Sequence, residues 1–130
     1  MINPSLGKSS RVAAGHKAQV LQKLLLVTDQ IRDIDPEMPL QQVRTLLEVA
    51  LRHEAGINVS ELTARVGNSV SATSRNVSIL GEHGRGNTPA RLLLKTDVNP
   101  KDRRSLCVHL SPKGERVIKR IVAALDAPAQ

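Results

Sequence analysis

A mainly α-helical domain carrying one small β-hairpin is the fold this sequence predicts, on three observations. Apolar residues recur at three- and four-residue spacing through most of residues 14–80. The period changes to two between Leu92 and Leu110, on either side of a basic connection that holds Pro100. Ser111-Pro112 then restarts a helical pattern, a capping residue followed by a proline suited to a first helical turn. Two short helices joined by a tight turn, then a hairpin, then a helix compose a winged helix-turn-helix.

Length and composition agree with that reading. The 130 residues suffice for one domain, and 40% of them are hydrophobic, with 17 Leu, 13 Val and 7 Ile. The chain has no Phe, Tyr or Trp, so its core must be aliphatic. The same absence excludes base stacking and cation–π recognition on the protein's own rings.

Residues 1–14, with Pro4, Gly7, Ser9 and Ser10, read as a flexible N-terminal arm, and residues 15–130 as the folded domain. From about Ala14 to Ile34 the spacing is helical. Val20, Leu24, Val27, Ile31 and Ile34 form a stripe that Leu21 and Leu25 widen, broad enough to be covered on more than one side, by the chain's own core or by a partner subunit. Asp35-Pro36 ends it. A second helix begins near Pro39, with Leu40, Val43, Leu46, Leu47, Ala50 and Leu51 expected inward, and Gly56 stops it.

A short helix over 61–66 follows, capped by Ser60 and directing Leu62 and Val66 inward. Gly67-Asn68 makes a turn, and Ser69 or Ser71 can cap a fourth helix that runs to about Leu80. Val70, Thr73, Val77 and Leu80 are expected to be buried. Ser71, Ala72, Ser74, Arg75, Asn76 and Ser78 are expected to face outward. Residues 81–91, with Gly81, Gly84, Gly86 and Pro89, read as a loop. Leu92-Leu93-Leu94 and Lys95-Thr96-Asp97 open the first strand of the hairpin. Leu106, Val108 and Leu110 alternate with Cys107 and His109 in the second, and the connection spans Asn99 to Arg104. Val117, Ile118, Ile121, Val122 and Leu125 mark the inner face of the last helix.

The charge is +7, and its distribution says more than its size. Ten basic side chains face three acidic ones over residues 85–120, whereas seven acids face three arginines over residues 29–61. One basic region in a basic domain suggests a polyanionic partner, most simply nucleic acid; a solvated surface is the plainer alternative. The lone Cys107 forms no intrachain disulfide and reads as a small half-buried apolar residue, with an oxidation sensor as the weaker reading. The sequence shows neither a signal-peptide core nor a membrane-span pattern, so a cytoplasmic protein is expected. His16, His53, His83 and His109 are scattered, and no phosphate loop, paired acids or nucleophile motif appears. No enzyme, metal or cofactor is expected.

The string DRRSLCVHLS at residues 102–111, followed by Pro112-Lys113-Gly114, resembles the wing and following helix start of the MarR family of winged-helix transcription regulators. The family's Asp-x-Arg, Val-x-Leu-Thr and later Gly fall on Asp102, Arg104, Val108, Leu110, Ser111 and Gly114, with Ser111 replacing the common Thr. Upstream, SELTARVGNSVSATSRNVSIL is similar to the family's helix-turn-helix, and Ser74-Arg75 matches its frequent Ser/Thr-Arg pair. The likeness covers roughly residues 39–122. Residues 85–92 depart from it as an eight-residue insertion whose Arg85 and Arg91 extend a DNA contact or make none.

The resemblance implies a homodimer built on the terminal helices, and a small-molecule effector that releases DNA. It implies that Arg104 approaches the minor groove while Asp102 orients the wing. Physically, a narrow minor groove focuses negative potential that a guanidinium can meet, whereas a carboxylate serves better as an internal partner of that guanidinium. Ser69, Ser71, Ala72, Ser74, Arg75 and Asn76 are the major-groove candidates. Arg75 can hold guanine bidentately or clamp a phosphate. Lys95, Lys101 and Arg103 are phosphate candidates. The expected function is a double-stranded DNA-binding transcriptional regulator, a repressor on a pseudo-palindromic site. Its alternatives are a plasmid or phage replication or partition protein, and a winged-helix protein-interaction module.

Overall fold

The computed structural model describes the backbone of residues 4–52, 54–99 and 102–126, and the side chains of 15–52, 54–98 and 106–126. Among the described residues, five helices and three strands follow one another: α1 (Pro4–Ile34), α2 (Leu40–Leu51), β1 (Ile57–Asn58), α3 (Val59–Val66), α4 (Val70–Leu80), β2 (Leu94–Asn99), β3 (Asp102–Leu110) and α5 (Pro112–Asp126). The hydrophobic cluster at the centre of the core is aliphatic. Leu46 and Val49 of α2 meet Ile57, Leu62, Leu80, Leu93, Leu94, Val108 and Leu110, with Val117 and Ile121 of α5 closing the cluster. α1 packs on α5 and reaches the core through its C-terminal half, where Val27, Ile31 and Ile34 are half-buried.

Several sequence expectations are corrected. The backbone is already helical at Pro4, so the arm expected over residues 1–14 is helix from its fourth residue onward. Pro4 suits a first helical turn, and Gly7 costs only about 1 kcal/mol within a helix, too little to break one. Pro39 stands before α2 as its capping residue, with extended backbone. The inner face of α2 is Gln42, Thr45, Leu46 and Val49, whereas Leu40, Leu47 and Leu51 are exposed. Apolar residues occupy two faces of this helix, and the contacts with α3, α4 and β3 select the one that turns inward. The cap of α3 is Asn58, whose Oδ1 accepts from the Glu61 N–H at 2.7 Å, in place of Ser60.

The hairpin is part of a three-stranded antiparallel sheet of order β1-β3-β2, where the sequence suggested two strands. Ile57 and Asn58 pair with Val108 and Cys107. Gly56, at φ 76°, lets β1 enter: a Cβ there would collide with the side chains of Cys107 and His109. β2 and β3 pair from Leu94–Leu110 to Val98–Leu106, after which the register shifts and Asn99 lies opposite Asp102. Strand β3 therefore includes Asp102, Arg103 and Arg104, which the sequence assigned to the connection.

The segment 81–93 is laced to the end of α4 by backbone bonds. The N–H groups of Gly84, Arg91, Leu92 and Leu93 donate to the carbonyls of Ser78, Ile79, Gly81 and Leu80 at 2.7–2.9 Å. Arg91 also meets Asp35 at 3.0 Å, so it ties this loop to the α1–α2 connection. On α5, Ser111 Oγ accepts from the Gly114 N–H at 3.0 Å and donates to the Leu92 carbonyl at 2.6 Å, which seats the helix on the base of the hairpin. Among the described residues, no helix is long and apolar enough to cross a membrane.

Candidate nucleic-acid interface

The geometry of the turn between α3 and α4 follows from three residues. Gly67 takes the left-handed conformation, φ 74°, that closes α3, and its N–H donates to the Thr63 carbonyl at 3.0 Å. Asn68 Oδ1 accepts from the Ser69 N–H at 3.1 Å. Ser69 Oγ accepts from the Ala72 N–H at 3.1 Å and is the cap of α4. Its hydroxyl also lies 3.4 Å from that of Ser71. Capping occupies an acceptor position of Ser69 and leaves the exposed side chain at the mouth of the turn.

Along α4, Thr73, Val77, Ile79 and Leu80 are buried. Ser71, Ser74 and Arg75 are exposed together, whereas Ala72 and Asn76 are half-buried at the edge of that face. Among the described residues no carboxylate pairs with Arg75, whose side chain is exposed. Val70 departs from the sequence expectation. Its side chain is 60% exposed, because the first residue of α4 projects past the end of the core and Val77, two turns on, fills the inner position. Sequence periodicity could not find this, since Val70 and Val77 share a stripe and differ only in how far along the helix they sit.

Lys95 is exposed on β2, opposite His109 on β3. His109 Nε2 lies 3.7 Å from Asp97 Oδ2. The backbone of Asp102, Arg103 and Arg104 belongs to β3, but their side chains, like Lys101 and Pro100 entirely, lie outside the described residues. Of the two insertion arginines, Arg91 is engaged with Asp35, both about four-fifths buried, while Arg85 is exposed beside its backbone pairing with Thr88. Cys107 is half-buried, its Sγ donating to the Ala55 carbonyl at 3.6 Å.

Much of the acidic half of the chain is engaged in pairs. Glu48 and Glu61 lie 3.3 and 3.7 Å from Arg52, and Glu61 also lies 3.4 Å from Arg65. These partly exposed pairs add little stability, but they lower the bare negative charge beside α3. A second feature is a cavity of about 280 Å³ between the end of α1, the segment before β2 and α5. Asp33, Arg91, Lys113 and Arg120 supply its charge, and Ile34 and Val117 its apolar wall.

No protein-family model matches the chain, and no curated protein matches it in sequence. Its fold does match solved structures. RV1404 from Mycobacterium tuberculosis superposes with a TM-score of 0.62 at 20% identity, covering 96% of this chain and 75% of that one. The S. aureus MepR-DNA complex gives 0.61 at 15%, over 90% and 81%. The PcaV transcriptional regulator from Streptomyces coelicolor, in complex with its natural ligand, gives 0.56 at 22%, over 96% and 77%. The helical order, the three-stranded sheet and these superpositions together give the chain the winged-helix fold of the MarR-type transcription regulators.

Proposed function

We propose that this chain is a homodimeric, sequence-specific regulator of transcription that binds double-stranded DNA and represses by occupying a promoter. The observation that carries the proposal is the outer face of α4, where Ser71, Ser74 and Arg75 stand exposed and, among the described residues, no acidic side chain pairs with the arginine. A major groove admits such a helix, and short hydroxyl side chains let its backbone approach closely. Arg75 grips guanine or a phosphate, and Asn76 reaches adenine from the edge of the face. Lys95, Lys101 and Arg103 neutralise phosphates, and Arg104 enters the minor groove with Asp102 holding it. The neighbour MepR was solved as a DNA complex.

A second copy would cover α1. Val20, Leu21, Leu24, Leu25 and Leu26 are 41–63% exposed, an aliphatic surface that a lone chain would leave in water. Two copies present two recognition helices, so the site is pseudo-palindromic. The neighbours PcaV and MepR were solved with a ligand and with ethidium bromide, respectively. In this chain the cavity lined by Asp33, Arg91, Lys113 and Arg120 is the candidate effector site. The work is that of a cytoplasmic protein.

Selection of bound duplexes from a random library, followed by salt titration of the wild type, Arg75→Ala and Arg104→Ala, tests the proposal. A symmetric motif is expected. For a dimer that neutralises about eight phosphates the logarithmic salt slope is on the order of −7. Both variants should bind more weakly, Arg104→Ala with a shallower slope. Binding that ignores sequence or salt would overturn the reading in favour of a protein-interaction module. A motif that maps to an origin rather than a promoter would reassign the protein to replication or partition.

A further inference from the structure

We infer that Val70 reads the 5-methyl group of thymine in the major groove. The inference rests on the DNA-binding reading above and adds the base that one position of the site must carry.

Val70 is the first residue of α4 and is 60% exposed. At 100° per residue, Val70, Ser74, Ser71 and Arg75 follow one another around an arc of about 140°, and all four are exposed. The inner arc is filled by Thr73, Val77 and Leu80, so Val70 contributes little to the core. Ser71 and Ser74 are too short to shield an isopropyl group. The backbone at this point is held, because Ser69 Oγ accepts from the Ala72 N–H at 3.1 Å and the Thr73 N–H donates to the Ser69 carbonyl at 2.9 Å. A valine in a helix occupies essentially one χ1 rotamer, so the two methyl groups are presented with little rotamer freedom to lose.

Recognition helices contact base edges with their N-terminal residues. Among the groups displayed in the major groove, the thymine methyl alone is apolar. An isopropyl group has no donor or acceptor. Against cytosine N4, adenine N6 or guanine O6 it removes water from a polar edge and returns nothing, whereas against a methyl group both surfaces gain by leaving water. Val70 therefore selects thymine by attraction and disfavours the other bases by uncompensated desolvation.

The test uses the full chain and the duplex it selects. Each thymine is replaced in turn, symmetrically in both half-sites, by uracil, which lacks the methyl group and keeps the hydrogen-bonding pattern. Burial of one methyl group corresponds to about a fourfold change in affinity per half-site. With both half-sites replaced, uracil at one position should weaken wild-type binding by about sixteenfold, and Val70→Ala should bind the thymine and uracil duplexes equally. An exposed valine-to-alanine change should leave the helical circular-dichroism signal and melting temperature in place. Two outcomes overturn the inference while the DNA-binding reading stands: no uracil substitution affects the wild type, or the methyl effect persists undiminished in Val70→Ala. If the wild type selects no motif, the operator reading has failed, and the assignment of Val70 falls with it.

Discussion

Gly114→Ala should be among the most disruptive single-methyl changes in this protein. Gly114 lies buried in the first turn of α5. A Cβ built there would press into the Leu93 carbonyl oxygen, stand 3.0 Å from the carbonyl carbon and lie 3.3 Å from Leu110 Cδ2. The obstacle is backbone, and it is pinned. The Leu93 N–H donates to Leu80 at 2.7 Å, and its carbonyl accepts from the Ser111 N–H at 2.9 Å. Leu93 itself is fully buried, so no rotamer change relieves the clash.

Overpacking of this kind costs about 1–3 kcal/mol. Displacing the Leu93 backbone weakens the two hydrogen bonds made by its N–H and its carbonyl, each contributing about 1 kcal/mol. Alanine's better helix propensity returns about 1 kcal/mol, which leaves a net loss of roughly 2–4 kcal/mol. With a urea m-value of about 2 kcal/mol/M, the unfolding midpoint should fall by about 1–2 M. Lys113→Ala, at an exposed neighbouring position, is the control and should leave the midpoint nearly in place. A Gly114→Ala midpoint within about 0.3 M of wild type would show that α5 can lift off the hairpin base at little cost, and the reasoning would be wrong.

Three further outcomes are expected. Ser69→Ala removes the cap of α4 and should cost about 1 kcal/mol in thermal unfolding, with Ser69→Gly milder; equal stability of all three would deny the hydroxyl its capping role. Asp35→Ala strands the four-fifths-buried Arg91 guanidinium and should cost about 1–3 kcal/mol, below the fully buried case because water still screens the pair. A double-mutant cycle with Arg91→Ala should return a coupling energy, and strict additivity would refute the pairing. Leu25→Glu places a charge at a 63% exposed position of α1, so the monomer should stay folded while sedimentation shows loss of the proposed dimer. An unchanged mass would remove Leu25 from the subunit contact.

The helix-turn-helix was legible because its signals are local. Gly67 supplies a left-handed turn and Ser69 a cap, and neither needs a distant partner. The alternation of Leu106, Val108 and Leu110 announced a strand for the same reason. The candidate site was legible in part: Ser71, Ser74 and Arg75 share one exposed face, but Val70 joins them against expectation and Arg91 is committed elsewhere. Charge and helical phase name candidates without saying which cation a carboxylate 56 residues away will engage.

What the sequence determined by itself was therefore the set of things fixed by neighbours in the chain: element type, turn position, the aliphatic character of the core and the region of positive charge. Tertiary structure decided the rest. It turned Gln42 and Thr45 of α2 inward while Leu40 and Leu51 stayed in water, and it made a strand of two residues, Ile57 and Asn58, by pairing them with Val108 and Cys107. Two residues are too few to show a period, and a helix with two apolar faces has no inner side until something packs on it. Periodicity is a property of one segment, whereas burial and pairing belong to two.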